Sequence, residues 1–356
     1  MTTVTAMAAT PASVKWHSSD SLPLLGKCVD DASTSERFQR LPDSLEHKVK
    51  RPALYGLGRH STGMAIRFAS DAPDIYVKWK SRFKGDMNIM TPTAVRGLDL
   101  YMMMPDSSWT FAQSCRPDLA SDRTEVLALG NMDAEPREYM LYLSLYDGVQ
   151  DLWIGADSAY NVTRPHIALP EVNNPIVYYG TSLVHGGCVN RAGMSHSNQL
   201  RRRLNRDVIN LGFGGNGQLD LEIADIIAAT KSPSLIILDF VPNCSTGQID
   251  TLMIPFTDIV RAAHPDVPIL FIECLDHPRN QFDLSARQLD DEHNAMMRRR
   301  FEDLTKKYKD IYYLPSKDLV GTDYESTVDG VHLTDYGATL FADSLEPVLR
   351  SILEKH

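Results

Sequence analysis

From residue 176 onward, short apolar runs alternate with helical patterns. The runs are IVYYG (176–180), DVINL (207–211), SLIILDF (234–240), PILFIEC (268–274) and DIYYL (310–314). An unbroken apolar run of this length fits a strand buried on both faces, as in parallel sheets covered by helices on either side. The segments between them are amphipathic. In one, Leu289, His293, Met296, Met297, Phe301, Leu304 and Tyr308 share a stripe. Strand and helix repeated in this way leave few options beyond a doubly wound α/β sheet. Ligands of such sheets bind beyond the carboxyl ends of the strands, so the residues after each run are the ones to read for function.

The first half follows a different rule. MAIRFAS (64–70), DIYVKWK (74–80), GLDLYMM (97–103) and REYMLYLSLYDGV (137–149) alternate apolar and polar residues, and Gly, Pro, Asp and Ser separate them. They predict a β-sandwich or jelly roll. RPHIALPEVNNP (164–175) holds three prolines in twelve residues, a stiff extended connection. The expected division is therefore 1–172, a β domain, and 173–356, an α/β domain.

The chain has 356 residues and a formal net charge of −10. Nucleic acid and anionic membranes reward a basic face, so neither is expected as a partner. The basic triplets Arg201–Arg203 and Arg298–Arg300 lie in helical patterns and read as solvated faces. No apolar stretch is long enough to span a membrane. MTTVTAMAATPAS (1–13) lacks the basic and apolar regions of a signal peptide. The five cysteines include no C-x-x-C pair, and pairing of Cys28 with Cys115 stays open.

DVINLGFGGNGQLDLE (207–222) places Gly212, Gly214 and Gly217 at G-x-G-x-x-G spacing between a strand and a helix. Asp239, near the end of the next strand, sits where a ribose-binding acid would. A dinucleotide-binding oxidoreductase is thus one reading. Against it, Asp220 and Glu222 open the following helix and would repel a phosphate. The loop also follows the second α/β strand rather than the first.

The other strand ends carry a different constellation. Ser182 lies just past the first run, in YYGTSLVHGG. A lone serine there would merely satisfy a turn. STVDGVHLTDYG (326–337) sets Asp329 three residues before His332, ahead of Thr334, a good N-cap for a last helix whose stripe includes Tyr336, Phe341, Leu345, Leu349 and Ile352. Alone, Asp329 would close an Asx-turn and His332 would be a surface histidine. Together they supply a nucleophile, a base and an acid that fixes the base's tautomer. Gly215, with no side chain in the way, can turn its N–H to an oxyanion, and Asn243 in DFVPNCS offers a side-chain amide at the same edge.

Gly180-Thr181-Ser182, Gly215 in NLGFGGNG, Asn243, and Asp329 with His332 resemble, in order, the four blocks of the SGNH or GDSL-type hydrolases. Gly97-Leu98-Asp99-Leu100-Tyr101 matches the Gly-x-Asp-Leu-Tyr motif of a bacterial branch with a β domain in front. Two departures exist: Thr181 stands where Asp is usual, and Asn243 lacks the usual Gly-x-Asn-Asp context. The resemblance implies a flavodoxin-like three-layer α/β/α parallel sheet behind a β-sandwich or jelly roll. It implies a serine esterase with Ser182, His332 and Asp329 as triad and Ser182, Gly215 and Asn243 as oxyanion hole, without metal or organic cofactor. The expected substrate is a short acyl ester, acetyl foremost, on a small molecule or glycan. His185 and Arg191 are candidate substrate contacts. Trp79, Trp109 and Trp153 either stack on sugar rings or fill the sandwich core. A lysophospholipase or thioesterase of the same fold, and a non-catalytic glycan-binding protein, are the other readings. The branch points to the periplasm or exterior.

Overall fold

The computed structural model describes residues 10–168 and 170–356. Most of the segment weighed as a leader, residues 1–9, lies outside them. The N-terminal half contains β1 (Val14–Ser18), β2 (Leu24–Leu25), β3 (Ala65–Ser70), β4 (Ile75–Ser81), β5 (Leu98–Met103), β6 (Trp109–Cys115), β7 (Arg123–Leu129), β8 (Arg137–Tyr142), β9 (Val149–Asp157) and β10 (Val162–Thr163), with helices α1 (Pro52–Gly58) and α2 (Pro92–Arg96). Two antiparallel sheets form, β1-β9-β4-β7 and β10-β3-β8-β5-β6, with β2 on β3. Their facing residues, among them Phe68, Val77, Trp79, Tyr139 and Ile154, share one core. The stretch 137–149, expected as one strand, breaks after Tyr142. There Asp147 accepts from the backbone N–H groups of Arg82, Phe83, Gly85 and Gly148 and forces a turn.

The C-terminal half contains β11 (Glu171–Gly180), β12 (Arg206–Gly212), β13 (Leu235–Asp239), β14 (Ile269–Ile272) and β15 (Ile311–Leu314), all parallel in the order β12-β11-β13-β14-β15. Its helices are α3 (Ser182–His185), α4 (His196–Leu204), α5 (Leu221–Ala229), α6 (Thr246–Ala263), α7 (Leu284–Thr305) and α8 (Asp335–Leu353). Successive strand residues point to opposite faces. Ile176, Tyr178 and Ile237 meet α4 and α8 through Leu200, Phe341 and Leu345. Val177, Tyr179 and Ile236 meet α5, α6 and α7 through Ile223, Phe256 and Met297. Leu289 and Tyr336, expected in helical stripes, are instead exposed. The result is a three-layer α/β/α sheet preceded by an antiparallel β region.

The edge of β12 is sealed by two arginines. Arg201 donates to Val208 O at 2.6 Å, and Arg40 donates to Asn210 O at 3.2 Å and Gly212 O at 2.8 Å. Alternate carbonyls that would otherwise face outward are thus occupied. Arg201 is 1% exposed and pairs with Asp207 at 2.9 Å, which corrects its reading as part of a solvated face. Arg298 and Arg299 are exposed, as expected of such a face. Leu41, Leu45, Leu54 and Tyr55 of the N-terminal half pack on the α5–α6 side of the parallel sheet. No helix among the described residues is long and apolar enough to cross a membrane.

Candidate active site

The strand order reverses between the paired strands β11 and β13, so the connections that follow them part and leave a crevice beyond their carboxyl ends. Ser182 stands there as the first residue of α3. Thr181, the N-cap, accepts the Leu183 N–H through its hydroxyl, so threonine does at this corner what the usual aspartate would do as a cap. The corner demands a bare residue at 180: a Cβ there would lie 2.5 Å from Val184 Cγ2 and 2.6 Å from Asp239 O.

His332 reaches Ser182 from the loop before α8. Its Nε2 lies 2.9 Å from Ser182 Oγ, and its Nδ1 lies 2.8 Å from Asp329 Oδ2. A carboxylate on Nδ1 selects the tautomer with the proton there and leaves the Nε2 lone pair facing the hydroxyl. The other Asp329 oxygen accepts the N–H groups of Val331 at 3.0 Å and His332 at 2.8 Å. Partial burial alone would raise Asp329, but the His332 N–H, its imidazole and the Val331 N–H outweigh it and hold the carboxyl below its ordinary value. Val328 N–H donates to His332 O at 2.8 Å and Thr334 N–H to Ser326 O at 2.9 Å, which closes the loop on itself. Thr334 caps α8 as expected, accepting from Gly337 N–H at 3.1 Å.

The glycine loop turns toward Ser182. Phe213 N–H donates to Gly180 O at 3.0 Å, and the N–H groups of Asn216 and Gly217 fold back on Phe213 O. Gly215 takes φ +66, a left-handed conformation that favours glycine. Arg51 pairs with Asp220 at 2.6 Å and holds Asn216. Asn243 braces the same loop. In the amide orientation that suits both its ends, its oxygen accepts from Gly217 and Asn216 N–H at 3.2 Å and from Gly215 N–H at 3.3 Å. The long Gly215 contact is one an oxyanion can displace. As first residue of α3, Ser182 has no helical acceptor for its own N–H. The dinucleotide reading does not survive this arrangement. Asp239 is 2% exposed and cannot meet a ribose, and the loop's N–H groups are taken up by Phe213 O, His185 and Asn243.

His185 and Arg191 do not line the pocket at Ser182. His185 is fully buried under the glycine loop. Its Nε2–H donates to Leu145 O at 2.8 Å, and its Nδ1 accepts the Gly214 N–H at 3.3 Å. Tyr146 stacks on it at 4.0 Å. Burial, with the nearby Arg40 and His60 adding, pushes this imidazole well below its usual 6.5 and keeps it neutral. Arg191 donates to Asp99 Oδ2 at 3.0 Å and Tyr101 OH at 2.7 Å, and Asp99 Oδ2 also accepts Gly193 N–H at 2.8 Å. The Gly-x-Asp-Leu-Tyr motif therefore grips the segment after α3. His185 is corrected from a substrate contact to a support, because both its ring nitrogens are spent within the protein; Arg191 is held by Asp99 and Tyr101 away from the Ser182 pocket.

The pocket has a volume of about 410 Å³. Besides the residues above, Met87, Ile89 and Tyr146 of the N-terminal half line it, with Leu183, Cys188 and Val331. Met87 and Ile89 lie in an irregular segment whose lack of periodicity gives no signal in the sequence. Trp79 is buried and Trp109 lies under Arg67, as core residues would; Trp153 is exposed on the sandwich, and none of the three lines the Ser182 pocket. All five cysteines are free, Cys28 and Cys115 included. Among the described residues, Cys274, His277 and Asp290 form a buried group capable of holding a cation. Cys274 Sγ and Asp290 Oδ2 both face His277 Nδ1, at 3.9 and 3.1 Å, so this histidine cannot relay a proton between them.

Comparison with known proteins matches residues 173–350 to the GDSL-like lipase/acylhydrolase family and residues 14–162 to the N-terminus of SGNH-hydrolase-type esterases. No curated protein matches. A solved structure of a GDSL-like lipase candidate from Bacteroides ovatus is 32% identical, covers 96% of this chain and 98% of its own, and superposes with a TM-score of 0.89. The salicylyl-acyltransferase SsfX3 from a tetracycline biosynthetic pathway, 16% identical over the same shares, gives 0.76. A family two carbohydrate esterase from Cellvibrio japonicus, 13% identical over the same shares, gives 0.61. The last two likenesses show the fold alone.

Proposed function

The chain belongs to the GDSL-like lipase/acylhydrolase family and is a carboxylic ester hydrolase, and from that premise we propose that Ser182, His332 and Asp329 are its catalytic triad. The observation that carries this is the unbroken chain of contacts from Ser182 Oγ through both ring nitrogens of His332 to Asp329. Ser182 Oγ attacks the ester carbonyl while His332 Nε2 takes its proton. Asp329 keeps the ring oriented and stabilises the imidazolium. The oxyanion receives the N–H groups of Ser182 and Gly215 and the Asn243 amide. His332 then protonates the departing alcohol, activates a water against the acyl-serine, and returns the proton to Ser182 as the acid leaves.

An acetylated glycan is the substrate favoured by the fold shared with carbohydrate esterases; it predicts acetate release from acetylated polysaccharide. The apolar pocket walls favour a different group on the ester. The deciding experiment for the triad is hydrolysis of nitrophenyl esters from acetyl to decanoyl by wild type and Ser182→Ala. Expected is a loss of at least ~10³-fold in kcat for the variant on every ester turned over. Equal rates in the two proteins overturn the nucleophile.

A further inference from the structure

Resting on the esterase reading, we propose that the N-terminal half is the specificity element of the site, and that its wall receives an apolar group larger than acetyl. The chemistry of the lining argues for this. Among the described residues, no side chain of Asp, Glu, Arg, Lys or Gln lines the pocket. Its polar side chains are Ser182, His332 and Asn243 of the proposed machinery, the buried Thr181 cap, the Tyr146 hydroxyl and the Cys188 thiol. Sugar hydroxyls need paired donors and acceptors, and burying them against Met87, Ile89 and Val331 would leave them unsatisfied. Size agrees. An acetyl group displaces about two or three waters, roughly 60–90 Å³, against a pocket of about 410 Å³.

The wall is built and braced. In the segment 86–89, Asp86 and Asn88 are exposed while Met87 and Ile89 are half-buried and line the pocket. Met90, buried, anchors the segment, and its N–H donates to Met87 O at 3.3 Å. Thr91 caps α2 and donates to Asn190 O at 2.6 Å, tying the wall to the C-terminal half. The other side is Tyr146, whose N–H donates to Val95 O and whose ring lies flat on His185. A wall fixed at both ends selects by shape before the ester arrives.

The test measures kcat/KM for nitrophenyl acetate, butanoate, hexanoate and benzoate, and for ethyl to hexyl acetates by acid release, so that either side of the ester can carry the apolar group. Wild type is expected to gain about fourfold per added methylene along one series over the first few carbons. In Met87→Ala/Ile89→Ala, and in the near-isosteric Met87→Gln, the hexanoate-to-acetate or hexyl-to-ethyl ratio is expected to fall at least fivefold. The ratio is internal to each preparation, so partial misfolding does not mimic it. A wild type fastest on its smallest esters, or ratios unmoved in both variants, overturns the proposal while leaving the triad intact. Rates that Ser182→Ala does not lower overturn the esterase reading and the proposal with it.

Discussion

His185 shows how a residue can matter to a site without entering it. It is the neutral acceptor that fixes the Gly214 peptide, one residue before the proposed oxyanion donor, and it hangs from Leu145 O on the other ring nitrogen. Glutamine can reproduce both contacts; leucine can reproduce neither. His185→Leu is therefore expected to lower kcat about 10- to 100-fold with little change in KM, because it disturbs an interaction made in the transition state. His185→Gln is expected to recover most of that loss with an unaltered pH profile. Steady-state kinetics on one ester checks both, and equal kcat in the leucine variant and wild type would remove the support role. At this scale the sequence was uneven. The pairing of Asp329 with His332 was readable because a spacing of three lets one carboxylate accept the backbone and the ring of the same histidine. His185 and Arg191 were placed beside the nucleophile but assigned to substrate, since their partners, Leu145 and Asp99, come from distant sequence.

Among the elements, the parallel strands were legible because burial on both faces removes polar residues from the pattern. The sandwich was less so. β7 alternates exposed and buried residues throughout, yet β1, β6, β7 and β9 were not singled out, and the segment carrying Met87 and Ile89 has no period to find. The α8 cap was legible, and its removal has a defined cost. Thr334 accepts Gly337 N–H and also donates to Ser326 O at 3.3 Å. Thr334→Ala is expected to cost about 1 kcal/mol, seen as a lower urea midpoint at constant slope. Because the cap also pins the loop that carries His332, kcat should fall more than affinity does. A variant with wild-type midpoint and kcat would show that the backbone bridge alone holds the loop.

Across the whole molecule, composition and pattern divide the chain near residue 172, but the packing does not treat the halves as separate bodies. Met90, Tyr101, Tyr142 and Leu145 share a core with Ile176, Leu200 and Phe341. Gly26 N–H donates to Asp207 at 2.9 Å, and Arg40, which burial pulls down to about 9, threads from the N-terminal half to the end of β12. Sequence reading locates a boundary from prolines and strand type; it has no local signal for one guanidinium crossing that boundary.

The arginine seal on β12 therefore decides whether the two halves can be shuffled as modules. A fragment beginning at residue 173 keeps Arg201 but loses Arg40, and its outer strand presents bare carbonyls at Asn210 and Gly212 beside the glycine loop. Such a strand is a template for another copy. The fragment is expected to self-associate in light scattering and to be inactive, while a monomeric, active fragment would show that the edge protects itself. On this account the catalytic half cannot be transplanted behind a different front domain unless the newcomer brings its own cation to that edge.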